Sequence, residues 1–82
     1  MMKWVKKEAG RYEDATGRFV ISKTWDRSFG NHWELRDKMS ERKILEELGE
    51  DTSYNHWFAR RKATQIFNTF AECKAAAERT DK

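Results

Sequence analysis

The chain has 82 residues, 38% of them charged, with a net charge of +3 and a mean hydropathy of −1.05. That length predicts one domain over residues 1–82 and leaves no room for a separate substrate-binding domain. Eleven aromatic residues against eight Val, Ile and Leu exclude wholesale disorder and predict a core built on rings, each burying about 150–250 Å2.

In chain order, a first strand is predicted within Lys3 to Tyr12, followed by a turn at EDATG, 13–17. The next stretch, GRFVISKTW from Gly17 to Trp25, is rich in β-branched and aromatic residues. Strand alternation puts Phe19 and Ile21 on one side and Arg18, Ser22 and Thr24 on the other. DRSFG, 26–30, has the composition of a five-residue hairpin loop ending in Gly. NHWELRD, Asn31 to Asp37, then alternates as its partner, with Trp33 and Leu35 together and His32, Glu34 and Arg36 opposite. The expectation is a three-stranded antiparallel meander with one apolar face, which another element must cover.

MSERKILEELGE, Met39 to Glu50, is a lesser helix candidate at 40–48, with Ser40 as N-cap and Gly49 just past the end. Arg42 and Lys43 lie near its positive end and Glu46 and Glu47 near its negative end, so tertiary packing must hold it. From Ser53 to Thr80 there is no Gly, and the chain has no Pro. Ala63, Ile66, Phe67, Phe70, Cys73 and Ala77 recur at helical steps, yet Thr69 and Glu72 also read as a capping box. Two readings stay open for 54–68: part of one helix from about Tyr54 to Arg79, or a strand or loop through Trp57 to Phe67 ahead of a short helix from Phe70 to Arg79. Either way a C-terminal helix covers the meander, with Phe19, Ile21, Trp33, Leu35, Phe67 and Phe70 buried, which makes the fold class α+β.

Little in this chain points to catalysis. The triplet NHW occurs twice, at 31–33 and 55–57, and holds both histidines, but beyond them only Cys73 and scattered carboxylates remain as ligands, without CxxC or HxxxH spacing. No metal, cofactor or catalytic site is expected, and a lone Cys on an apolar stripe reads as a small core residue. Gly-rich phosphate loops, GxSxG and HExxH are missing as well. The single Cys fits a reducing, cytoplasmic setting, and no apolar run resembles a signal segment or a membrane span.

Charge is distributed as +3 over 1–38, −3 over 39–52 and +3 over 53–82, so the ends are basic around an acidic middle. KWVKK, GRY, GRF and HWFARRK each set Lys or Arg beside a ring, a pattern that suits phosphate contact supported by stacking or cation–π interaction. The competing reading keeps Trp4, Tyr12, Phe19 and Trp57 for the core, with the cations merely snorkelling from it.

The order W…GRY…GRFVISKTW…HWELRD…FNTFAECKAAAER resembles small phage- and prophage-encoded proteins, in which G-R-aromatic-x-I and W-x-L-x-D strands precede a T-x-x-E-x-K-x-x-A helix. More distantly, a β-β-β-α order is similar to the arm-type DNA-binding modules of phage integrases, which lay a three-stranded sheet in the major groove. The chain departs from both in the extra segment from Met39 to Ile66, and it has no recombinase catalytic domain. The resemblance implies a non-enzymatic accessory protein acting in the host cell. Two functions follow as expectations: binding of DNA or RNA, or binding of a host protein as an inhibitor or adaptor. For nucleic acid, the expected surface is the sheet face carrying Arg18, Ser22, Thr24 and Arg36, flanked by Arg60, Arg61 and Lys62.

Overall fold

Short alternating segments and tight turns build an antiparallel sheet in the computed structural model, which describes residues 2–81. The strands are β1 (Trp4–Glu8), β2 (Arg11–Asp14), β3 (Phe19–Asp26), β4 (Gly30–Asp37) and β5 (Thr64–Phe67), adjacent in that order. Helix α1 (Lys38–Leu48) follows β4 directly, α2 (Ser53–Lys62) precedes β5, and α3 (Phe70–Thr80) follows it. The fold is thus α+β, but the sheet has five strands where three were expected, for two reasons.

The first is a turn inside the segment expected to hold one strand. Ala9 and Gly10 fold β1 back onto β2, and Gly10 takes φ +75, a left-handed conformation that a side chain resists. The pairing shifts register between Lys6 and Glu8, so Lys7 forms a bulge in this outer strand. The second reason is β5, which pairs with β4 through Trp33 with Phe67 and Leu35 with Gln65 after a long excursion through α1 and α2.

Both readings of 54–68 are corrected by this arrangement. Trp57 is helical, as the long-helix reading required, but the helix stops at Lys62 and four residues of strand separate it from α3. Thr52 caps α2 by accepting from the Asn55 amide at 3.1 Å. Thr69 caps α3 through the Glu72 amide at 3.1 Å, as the capping box predicts, and its hydroxyl donates to the Glu72 carboxylate at 3.0 Å. The lesser helix candidate forms, but Asp37 rather than Ser40 is its N-cap, accepting from the amides of Met39 (3.0 Å) and Ser40 (3.3 Å). Asp37 and Glu41 put negative charge at the helix start, which offsets Arg42 and Lys43.

α3 lies across one face of the sheet. Phe19, Ile21 and Leu35 are buried there with Cys73, Ala76 and Ala77, and Met2, Trp4, Tyr12, Trp33, Phe67 and Phe70 pack around them half-exposed. Small residues on α3 bring the helix close to the strands. Phe70 anchors it, its ring 4.5 Å from Tyr12 and 5.3 Å from Trp33. The expected core is right for Phe19, Ile21 and Leu35, whereas Trp33, Phe67 and Phe70 form its border. The core is ring-built as expected, since Phe19 lies in it and Trp4, Tyr12, Trp33, Phe67 and Phe70 pack against it, whereas Trp25, Phe29, Tyr54 and Trp57 are all more than half exposed.

The turn ahead of β3 is held by Asp14, which is buried and accepts from the amides of Phe19 (2.6 Å) and Thr16 (3.1 Å). Burial pushes its carboxyl up, but the hydrogen bonds from Thr16 and Phe19 outweigh that and leave its pKa lowered. Among the described residues no helix is long and apolar enough to cross a membrane.

Candidate nucleic-acid interface

The sheet face turned away from α3 carries three of the four strand residues expected to line it. Register sets Arg36 opposite Val20, Ser22 opposite Glu34 and Thr24 opposite His32, so Ser22, Thr24 and Arg36 share that face. Arg18 does not join them. It lies in the turn before β3, where alternation no longer dictates direction, and its guanidinium grips Asp37 with two hydrogen bonds of 3.1 Å while lying 3.5 Å from Asp81. The hydrogen bond to Asp37 holds the Arg18 pKa up, and Asp37 settles below the usual carboxylate range because Arg18 and Ser40 outweigh the burial that pushes it up. Arg18 is therefore a structural clamp between the sheet, α1 and α3.

Positive charge on the sheet face is largely matched by negative. Glu13 lies 3.8 Å from Arg11 and 3.3 Å from Lys38, and Glu41 lies 3.4 Å from Arg36. Desolvation, and then the charge of nearby Arg60, push the Arg36 pKa down. α2 keeps a contiguous cationic run, Arg60, Arg61 and Lys62, all exposed and in no ion pair among the described residues.

The exposed side of α2 is not ordinary solvated helix. Tyr54, Trp57, Phe58, Arg61 and Lys62 stand at i, i+3, i+4, i+7 and i+8, one face of the helix. Tyr54 stacks on Phe58 at 6.4 Å and tilts against Trp57 at 5.8 Å. The Arg61 guanidinium sits over Trp57 at 5.5 Å and the Lys62 ammonium over Phe58 at 5.6 Å. Only Ala59 of this helix is buried. Trp57 is thus not the core residue of the competing reading. Sequence reasoning set Trp57 and Phe58 beside the cations in HWFARRK but missed Tyr54, although its spacing was readable once the segment was taken as a helix.

Between α2 and the β3–β4 hairpin runs a groove of about 640 Å3. Its walls include Phe29 from the hairpin loop and Trp57, Arg60 and Arg61 from α2, and its floor includes His32, Glu34, Thr64 and Ile66 from β4 and β5. His32 is buried, with Nδ1 3.1 Å from the Gly30 carbonyl and Nε2 3.1 Å from a Glu34 carboxylate oxygen. The Glu34 contact, and then the Gly30 carbonyl, raise its pKa and favour the imidazolium.

The two NHW triplets therefore serve different ends. Asn31, His32 and Trp33 lie in a strand, whereas His56 is exposed on α2 beside Asp51. Among the described residues no group of three or more His, Cys, Asp or Glu side chains gathers as a metal site would require. Cys73 is fully buried on the inner face of α3, and burial pushes its thiol up to about 12. No protein-family model, curated protein or solved structure matches the chain.

Proposed function

We propose that the protein is a non-enzymatic accessory protein of the phage or prophage type that binds single-stranded nucleic acid through α2. The observation that carries this reading is the stripe of Tyr54, Trp57, Phe58, Arg61 and Lys62, in which Tyr54 and Trp57 stay more than half exposed beside exposed cations while Phe58 is half-buried beneath them. Exposed rings stack on unpaired bases at about 1–3 kcal/mol per base, a gain that a closed duplex does not offer. Arg60, Arg61 and Lys62 supply the phosphate contacts, while Ser22, Thr24 and Arg36 lie beyond them on the sheet face.

Fluorescence anisotropy with labelled single strands across a salt series tests this. Replacing Arg60, Arg61 and Lys62 by Ala should flatten the log–log salt slope by about 2, at roughly 0.7 per lost phosphate contact on single strands. Trp57→Ala should weaken binding about tenfold or more with an unchanged melt. Failure of the wild-type protein to retain DNA or RNA at low salt would sink the reading. The exposed Trp25, Phe29, Tyr54 and Trp57 would then be anchors for a protein partner, such as a host protein that the chain inhibits or adapts.

A further inference from the structure

We infer that the groove between the β3–β4 hairpin and α2 is a pocket for one unstacked guanine of the bound strand, with Glu34 reading the edge of the base. The inference rests on the nucleic-acid reading and adds sequence preference to it. The groove's volume of about 640 Å3 falls among sites for small ligands, which span roughly 300–1,000 Å3. It adjoins the stacking stripe directly, because Trp57 and Arg61 belong to both. A strand laid along α2 thus has one side where bases stack and another where a base can turn inward.

The chemistry of the groove floor selects the base. One Glu34 oxygen accepts from His32, and the other has no partner among the described residues. His32 is held in turn by the Gly30 carbonyl, so the carboxylate is fixed in place before any ligand arrives. Both His32 nitrogens face acceptors, and in the imidazolium form that this arrangement favours, His32 offsets the charge that Glu34 would turn toward the strand's phosphates. A carboxylate is an acceptor on both oxygens. Guanine alone among the four bases presents two adjacent N–H donors on its pairing edge, the ring N1–H and the exocyclic N2 amine. Adenine and cytosine each set one donor beside a ring acceptor, and thymine or uracil flanks its donor with two carbonyls. Each of these would leave an acceptor facing an acceptor, which is costly in a partly desolvated site. Phe29 and Trp57 offer ring faces for the base, and Arg60 and Arg61 lie where its flanking phosphates would run.

Anisotropy with four labelled strands tests the pocket. One is all thymine, and the others carry a single central guanine, adenine or cytosine. The guanine strand should bind the wild-type protein about tenfold or more tightly than the other three, the discrimination expected of one bidentate base contact. Glu34→Gln should abolish that preference, so that the guanine strand binds this variant no more tightly than the all-thymine strand does. Equal binding of all four strands by the wild-type protein overturns the pocket and leaves the nucleic-acid reading standing. A guanine preference that survives Glu34→Gln overturns the role given to Glu34, and no binding of any strand overturns both. The four-strand comparison needs no variant, so a folding defect in Glu34→Gln cannot obscure the result.

Discussion

Asp37 joins more parts of the molecule than any neighbouring residue, and removing it in two ways separates what it does. The carboxylate takes two 3.1 Å hydrogen bonds from Arg18, two from the first amides of α1 and one from the Ser40 hydroxyl at 3.1 Å. Asparagine caps helices about as well as aspartate, so Asp37→Asn removes chiefly the charge pairing. A hydrogen bond to a charged group contributes about 1.5–3 kcal/mol, and Arg18 keeps 21% of its side chain in solvent, which argues for about 1–2 kcal/mol here. Asp37→Ala loses the cap as well, about 1 kcal/mol more, for a total of about 2–3 kcal/mol. At about 4–8 °C per kcal/mol, the midpoints should fall by roughly 10 °C for Asn and roughly 15 °C for Ala. Far-UV circular dichroism adds a second readout. α1 buries none of its side chains, so without its cap Asp37→Ala should also lose helical signal below the main transition. The pH dependence follows from the lowered pKa. The stabilisation is full above the unfolded value near 3.8 and is lost as pH falls through the folded one, so the wild-type protein should lose its advantage over Asp37→Asn in acid. Equal stability of the Asn and Ala variants, or an Ala variant within about 0.5 kcal/mol of wild type, would refute the double role.

Other perturbations probe the rest of the molecule. Phe70→Ala should cost about 2–3 kcal/mol in urea melts, below the full range for a buried ring because Phe70 is only half-buried; an unchanged midpoint would detach α3 from the core. Cys73 should resist a thiol reagent in the native protein and react only as fast as the chain unfolds, and rapid labelling at pH 8 would contradict its burial. His32 should titrate above 6.5 by NMR. The stability it contributes is full below that value and is lost as pH rises through the folded pKa, and Glu34→Gln should flatten that slope.

The parts of the fold legible in sequence were those where a local rule acts alone. Alternation in FVISKTW and NHWELRD placed β3 and β4 within two residues of their observed ends, because one face is apolar and the other polar. Thr69 with Glu72 marked the start of α3 for the same reason. The segment 53–67 was harder, since rings occur on both the exposed face of α2 and in β5, and neither Gly nor Pro marks the boundary at Ala63. Four residues of β5 are too few to show a period, and their strand conformation comes from pairing with β4. The Ala9–Gly10 turn was visible as a glycine but not read as splitting the first strand. As for the site, the cations of α2 were readable by type, but their freedom from ion pairs is tertiary. So is the opposite fate of Arg18, which depends on Asp37 and on Asp81, 63 residues away.

The order in which the sheet is assembled bears on how the chain is made. β1 to β4 are joined by short turns and can pair as soon as each leaves the ribosome, because local contacts form fastest. Their apolar face, with Phe19, Ile21 and Leu35, must then wait through the synthesis of α1, α2 and β5 before α3 arrives to cover it. During that interval the nascent chain is a bare half-core with an open edge at β4, the kind of species that sticks to its neighbours. The paired charges of the other face keep that face in water, so the bare apolar face and the β4 edge are the surfaces by which copies of the intermediate would associate until the last helix docks.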